Sequence, residues 1–290
     1  MKNILIATDF SGASRTAAMY GAALARQFGA NIFLFHAYQT PIQVPESYVL
    51  YTSDDVWAAA KELLQKEIEA INPSGDLNIE ITGGEGMATQ AILKEAERVK
   101  ADLIICGMKS NAKPFRRLFG SSTTGLAKHS DVPFIVVPEN AHFRSIKKIA
   151  LANDMDSETA VETTRVLQEI GEHFSAALSI VLVVDEEFDK DKEFRFLPLT
   201  LAKNLKSLKP VLEFPKGENI VKVLDDFAIG NNIDLMAVIP HKHSFLERLI
   251  IESTTNKLIF HTHVPLLVMP QKKNGELADA TNHAVLEKHS

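Results

Sequence analysis

The chain has 290 residues, a formal net charge of −6 and an apolar fraction of 46%, which is typical of a globular protein long enough for two domains. The acidic balance disfavours sequence-independent binding of nucleic acid, which needs a basic surface. No apolar run is long enough to cross a bilayer, no signal-peptide pattern is present, and the lone cysteine excludes an intrachain disulfide, so we expect a cytoplasmic protein without membrane or nucleic-acid partners.

Strand and helix patterns alternate along the first half. Ser11 is predicted to cap the first helix and Gly29 to end it. Strands are predicted at 2–8, 32–37, 77–82, 103–107 and 134–137, and further helices at 56–71, 87–99 and 121–129. This alternation predicts a parallel sheet with right-handed crossovers and helices on both faces.

The second half repeats the first. Residues 102–138 and 234–270 align without a gap and share residues such as Asp102/Asp234 and Pro138/Pro270. Strands predicted at 146–153, 178–184 and 266–269 and a helix at 220–229 follow the same order. An internal repeat indicates two copies of one unit. We therefore expect one domain at 1–140, a second at 145–271, and a loose polar tail at 272–290.

Ligands of open parallel sheets bind at the carboxyl ends of strands, where the strand order reverses. Asp9, Ala37 and Gly107 end the first, second and fourth predicted strands. Chemistry is therefore expected near these three residues.

A phosphate-loop pattern follows the fourth strand. Gly107 permits a positive φ and a close approach of ligand to backbone, and Gly120 opens a helix whose N–H groups attract anions. The segment between is locally basic and suits a di- or triphosphate; it contains Lys109, Lys113, Arg116 and Arg117. A purely structural turn with Ser/Thr caps is the alternative. The spacing fits neither a P-loop nor a dinucleotide-binding fingerprint.

Several segments together resemble the universal stress protein family. They are a G-x-x-G-x9-G-[ST]-like run from Gly107 to Ser121, the strand ends ILIATDFS and LFHA, and the closing strand VPFIVVP. The resemblance covers 2–139 and, more weakly, 146–270, as in a tandem member. It implies two tandem doubly wound parallel five-stranded α/β sheets of the adenine-nucleotide α-hydrolase-like type, paired as a pseudo-dimer through their fifth strands.

The resemblance also implies a site for ATP, with Mg²⁺ as its companion ion. Asp9 would lie near the ribose or metal, unless it only caps the first helix, and Ala37 would pack on adenine. The full implied set is Ala7, Thr8, Asp9, Ala37, Gly107, Lys109, Ser110, Gly120, Ser121 and Ser122. Ser110 stands where the family has its second glycine, and its Cβ would crowd a phosphate.

The second copy has lost this pattern. Ile239, Lys242 and Glu252 replace its glycines, and a carboxylate at position 252 would repel phosphate. We therefore expect one nucleotide site, in the first half. Two H-x-H pairs in this copy offer an alternative zinc site, although solvated loop histidines are commoner; they are His241, His243, His261 and His263.

The resemblance implies a stress-response regulator or sensor that binds ATP. The alternatives are a ligand-free interaction scaffold and a slow ATP-hydrolysing enzyme. No paired carboxylates or nucleophile–base set indicates an enzyme. The sequence identifies no protein partner and leaves a homodimer beyond the internal pair open.

Overall fold

The described residues of the computed structural model form one continuous ten-stranded sheet in the order β3-β2-β1-β4-β5-β10-β9-β6-β7-β8. They comprise residues 1–40, 52–108, 121–153, 161–185, 187, 199–240 and 264–271. The strands are β1 Asn3–Ala7, β2 Asn31–Tyr38, β3 Ile79–Glu85, β4 Leu103–Met108, β5 Phe134–Pro138, β6 Lys148–Ala152, β7 Ala177–Val181, β8 Val211–Glu213, β9 Leu235–Val238 and β10 Leu266–Val268.

The first half is a doubly wound parallel sheet, as predicted. Its helices are α1 Gly12–Phe28, α2 Ser53–Ile71, α3 Ala88–Arg98 and α4 Ser121–His129. Most buried apolar residues of α1 and α2 belong to one core cluster, and those of α3 and α4 belong to the other. The helices therefore cover opposite faces, and the order reverses between β1 and β4, where ligands of such sheets bind.

Helix α1 shows how the local sequence sets the bounds of these elements. The Ser11 side chain accepts a hydrogen bond from Ser14 N, and Gly29 ends the helix in the left-handed region at φ 61°. Both caps were predicted. Between them Ala17 and Leu24 are fully buried against the sheet, and burial of a leucine side chain stabilises the fold by about 1.5–3 kcal/mol.

The second half repeats the arrangement, with helices α5 Val161–Phe174, α6 Leu199–Asn204 and α7 Ile220–Asn231 and a 3-10 turn at Lys206–Leu208. The fifth strands of the halves pair antiparallel, with Phe134 opposite Val268 and Val136 opposite Leu266. The predicted pairing through fifth strands is confirmed, and each core cluster continues across this seam.

The shared aspartates have the same structural role in each half. Asp102 Oδ2 accepts hydrogen bonds from the backbone N–H groups of Lys2 and Asn3, the latter at 3.1 Å. Asp234 Oδ2 accepts from those of Lys147 and Lys148 at 2.8 and 2.9 Å. Each carboxylate thus holds the first strand of its half beside the fourth, which explains its presence in both copies.

Some elements were not predicted. The short strand β8 and helix α6 had no clear periodic pattern, and β3 begins at Ile79 and continues to Glu85 rather than ending at Thr82. None of the helices among the described residues is long and apolar enough to cross a membrane.

Candidate functional site

A cavity of about 130 Å³ opens at the carboxyl ends of β1, β2 and β4. It is lined by Ala7, Thr8, Asp9, Ser11, Ser14, Phe35, Ala37, Ala88, Ile92, Cys106, Gly107 and Ser122. It lies where the topology places a ligand.

Six of the predicted site residues meet in this cavity: Ala7, Thr8, Asp9, Ala37, Gly107 and Ser122. Ser121 begins α4, and its side chain is not among those described. Lys109, Ser110 and Gly120 lie outside the described residues, as do Lys242, Glu252 and the four histidines of the second copy.

One wall of the cavity is apolar. Phe35 and Ala37 come from β2, Ala88 and Ile92 from α3, and Cys106 from β4. Phe35 is 1% exposed and Ile92 3%, so packing fixes the shape of this wall before any ligand arrives. It suits a flat apolar group.

The opposite wall carries hydroxyl groups from the start of α1. Thr8 Oγ1 lies 3.1 Å from Ser14 Oγ, which donates to the Ser11 carbonyl at 3.0 Å. Ser14 is buried, and Ser11 Oγ lies 3.4 Å from it. Asp9 is the carboxylate of the lining, and its Oδ1 accepts a hydrogen bond from Ser11 N at 3.0 Å.

Three helices begin at this cavity. Ser11 caps α1, Ala88 is the first residue of α3, and Ser122 lies in the first turn of α4. None of these three helices has an acidic residue in its first turn, and the N-cap of α3, Met87, makes no side-chain capping bond. Their N-terminal partial positive charges therefore converge on one opening, which favours an anionic ligand.

The main chain of Ala37 faces the same opening. In a parallel ladder, alternate residues of a strand bond to opposite neighbours. Phe35 O accepts from Thr8 N on the β1 side, and Tyr38 O accepts from Gly86 N on the β3 side. The N–H and C=O of Ala37 consequently point toward β1, which has ended at Ala7. They offer an adjacent donor and acceptor at the edge of the apolar wall.

A model of the universal stress protein family matches residues 1–138 and 214–270. The chain belongs to this family. It is 25% identical over 294 residues to universal stress protein Slr1230 of Synechocystis sp., covering 92% of this chain and 99% of that protein. It is 27% identical over 143 residues to universal stress protein MJ0531 of Methanocaldococcus jannaschii, over 47% of this chain and 81% of that protein.

The fold agrees with this assignment. A crystal structure of a universal stress protein from Archaeoglobus fulgidus superposes with a TM-score of 0.70 at 19% identity, covering 92% of this chain and 98% of that one. The universal stress protein architecture therefore extends over both halves of the present chain.

Gly107 of this universal stress protein has a different local role from the one predicted. It lies in β4, and the described glycines with positive φ are others: Gly29, Gly75, Gly86 and Gly217. A Cβ at position 107 would lie 2.4 Å from Ala13 O and 2.7 Å from Ser14 N. The first turn of α1 therefore approaches the Gly107 backbone closely, and Gly107 also lines the cavity.

Asp9 does not cap the first helix, because Ser11 occupies that position. The alternative structural role considered for Asp9 is therefore wrong. Asp9 instead lines the cavity and orients the Ser11 amide.

Cys106 contributes to the apolar wall as a neutral thiol. Burial raises its pKa to about 12, against a smaller lowering by its hydrogen bond with Thr123. Its Sγ lies 3.9 Å from Thr123 Oγ1 and 3.8 Å from the Ile135 carbonyl. This environment disfavours the reactive thiolate.

The equivalent region of the second half is filled with larger side chains. Ile239, at the position of Gly107, is fully buried. Val183 corresponds to Ala37. The first pairs of the two ladders are Asn3 with Asn31 and Lys148 with Ala177, and Ala37 and Val183 each follow six residues later. Within the described part of the chain, no group of three His, Cys, Asp or Glu residues is arranged to hold a metal ion.

Sequence reasoning missed half of the lining. Phe35, Ala88 and Ile92 look like ordinary core residues, and Ser14 like a helix-surface serine. The signal available for Ser14 was its position one turn after a predicted cap. Phe35, Ala88 and Ile92 become recognisable as lining residues only in the folded structure, where β2 and α3 lie side by side.

Proposed function

We propose that this universal stress protein is an ATP-binding regulator of the stress response, with its nucleotide site in the N-terminal half. The observation that carries the proposal is the cavity, in which an apolar wall with an open main-chain edge adjoins three converging helix N-termini. A nucleotide has the same division between a flat base and an anionic phosphate chain.

The base would lie against the apolar wall. The Ala37 N–H and C=O suit the Watson–Crick edge of adenine, which presents the N1 acceptor beside the N6 amino donor. Guanine presents its acceptor and donor in the reverse order. The Ala37 edge thus accepts adenine in one orientation of the ring and guanine only with the ring turned over.

The phosphates would lie toward the hydroxyl wall and the start of α4. Backbone N–H groups at helix starts bind phosphate, and the Ser122 side chain adds a hydroxyl donor. Mg²⁺ would fit beside them, because it is commonly held by one or two carboxylates together with substrate phosphates. Asp9 supplies such a carboxylate.

The proposal is for binding rather than turnover. Among the described lining residues, Asp9 carries a carboxyl group, Cys106 a buried thiol, and the others are apolar or hydroxyl-bearing. This set holds a nucleotide but contains no nucleophile paired with a base. Occupancy would then alter contacts with protein partners at the carboxyl edge of the sheet.

Titration calorimetry with Mg²⁺–ATP tests the proposal, with Ala37→Phe and Val183→Phe as a matched pair. Ala37 is partly exposed at the cavity, so a phenyl ring there fills the base subsite without burying a new group in the core. Val183 is partly buried at the equivalent place in the second half.

We expect one site per chain, lost in Ala37→Phe and kept in Val183→Phe. No heat of binding at millimolar ATP in the unaltered protein would favour the ligand-free scaffold. Steady release of ADP from the bound complex would favour the enzyme.

A further inference from the structure

A strained turn carries the polar wall of the cavity. Phe10 lies in the left-handed region at φ 62°, which is unfavourable for a bulky side chain. The other described non-glycine residues with positive φ all follow the end of a helix or 3-10 turn; they are Lys100, Ser175, Lys209 and Asn232. Phe10 instead precedes a helix, between two residues that line the cavity, Asp9 and Ser11.

Three hydrogen bonds from backbone N–H groups hold this turn. Phe10 N donates to Thr8 Oγ1 at 3.1 Å, and Ser11 N donates to Asp9 Oδ1 at 3.0 Å. Both bonds lie within the turn, whereas Thr8 N donates to Phe35 O at 2.9 Å and ties the start of the turn to β2. A strained turn persists only where its surroundings over-determine it.

His36 adds two side-chain contacts from the neighbouring strand to this backbone bond. Its Nδ1 lies 2.8 Å from the Thr8 carbonyl oxygen. Its ring packs on Phe10 with centroids 4.5 Å apart and planes tilted by 37°. A carbonyl oxygen can only accept, so Nδ1 carries the proton and donates.

We propose that His36 is a positioning residue for the nucleotide site; this rests on the function proposed above. Side chains alternate between the faces of a strand, so the His36 ring lies on the face opposite the cavity-lining Phe35 and Ala37. Together with the bond from Thr8 N to Phe35 O, His36 thereby sets the distance from the main-chain edge of Ala37 to the turn that carries Thr8 and Asp9. Binding sites lose affinity when such a spacing is loosened by even about 1 Å.

Variants at position 36 separate the two contacts of the ring. His36→Asn keeps a side-chain amide that can donate to the Thr8 carbonyl, His36→Phe keeps an aromatic ring to pack on Phe10, and His36→Ala removes both. His142→Ala is the matched control, because His142 is exposed and lies outside the cavity lining.

Two readouts are needed: ATP affinity, and amide hydrogen exchange of residues 8–12 in the protein without nucleotide. For His36→Ala we expect faster exchange in this turn and roughly tenfold weaker ATP binding, as for the loss of one or two hydrogen-bond-sized contacts. His36→Asn should restore most of the affinity, and His142→Ala should change neither quantity.

Unchanged exchange of residues 8–12 in His36→Ala would overturn the proposal, as would unchanged ATP affinity. Equal losses of ATP affinity in His36→Asn and His36→Ala would also contradict it. They would mean that the loss does not depend on the hydrogen-bond donor, which His36→Asn restores. If the unaltered protein binds no ATP, the proposed function fails, and the exchange measurement alone still decides whether His36 holds the turn.

Discussion

The two halves differ most clearly at single residues. Gly107 both lines the cavity and allows α1 to pack closely against β4. Its missing side chain allows the first turn of α1 to lie against β4, which brings Ser14 to the cavity. Ile239 occupies the same position in the second half and is fully buried. The loss of one glycine therefore changes both the packing at the strand end and the space for a ligand.

Gly107→Ala should destabilise the protein by about 1–3 kcal/mol, because the added Cβ would meet backbone atoms of Ala13 that cannot rotate away. It should also weaken ATP binding, since α1 must move. Gly230→Ala in α7 is the control, because a Cβ there has nothing within 4 Å and alanine favours a helix by up to about 1 kcal/mol. Denaturant unfolding measures the stability of both variants. Equal stability of Gly107→Ala and Gly230→Ala would contradict the packing role of Gly107.

Cys106 should react slowly with thiol reagents in the native state. Burial raises its pKa to about 12, so the folded protein retains the proton at pH values where the unfolded chain, with a cysteine pKa near 8.5, releases it. The contribution of Cys106 to stability is therefore complete below about pH 8.5 and is lost as the pH rises toward 12. Rates of thiol labelling with and without denaturant check this, and rapid labelling of the native protein would refute it.

At the scale of elements, the caps of α2 decide where this long helix begins. Thr52 Oγ1 accepts a hydrogen bond from Asp55 N at 3.2 Å, while the Asp55 carboxylate accepts from Thr52 N at 2.9 Å. The bonds from the Thr52 hydroxyl and backbone lower the pKa of Asp55. The helix predicted from the sequence begins at residue 56, because apolar periodicity begins at Val56 and the polar capping box precedes it.

Thr52→Ala should lower the free energy of unfolding by about 1 kcal/mol, because the N-cap hydrogen bond is lost.

The contribution of the ionised Asp55 to stability is present above the ordinary aspartate pKa and is lost as the pH falls through its lowered pKa. The effect of Asp55→Asn should therefore exceed that of Asp54→Asn at pH 7, and the gap should close in acid. Chemical denaturation across this pH range tests it, and equal effects at pH 7 would contradict the capping box.

The sequence predicted elements best where the signal is local. The caps Ser11 and Gly29 agree with the structure, because capping chemistry acts within a few residues, and both bounds of α4 agree as well. Strand β8 was missed because it has three residues with one exposed valine, Val211, and is defined by pairing with β7. The apolar wall of the site depends in the same way on packing between distant segments, such as α3 against β2.

At the scale of the whole molecule, the seam between β5 and β10 joins the halves into one sheet. Across it, Phe28 of α1 stacks on His173 of α5 with ring centroids 4.2 Å apart, and Phe143 packs on Tyr20 and on Phe174. Both core clusters contain residues from each half. The second half thus pairs with β5, which would otherwise be an edge strand with unpaired backbone groups.

This continuity predicts that the halves unfold together. Trp57 is the single tryptophan of the chain and lies in the first half, stacked on Tyr38 with centroids 5.6 Å apart. Its fluorescence reports the first half, whereas far-ultraviolet circular dichroism reports both. The two denaturation curves should coincide. A fluorescence transition clearly separated from the dichroism transition would mean that the halves are independent domains.

The central claim is that one half binds ATP and the other has lost the site. A crystal structure of the intact protein grown with Mg²⁺ and a non-hydrolysable ATP analogue tests it most directly. The account predicts density for one nucleotide, with its base beside Ala37 and its phosphates toward Ser122, and none beside Val183 and Ile239. Nucleotide bound in the second half, or a first half that stays empty at saturating analogue, would contradict it.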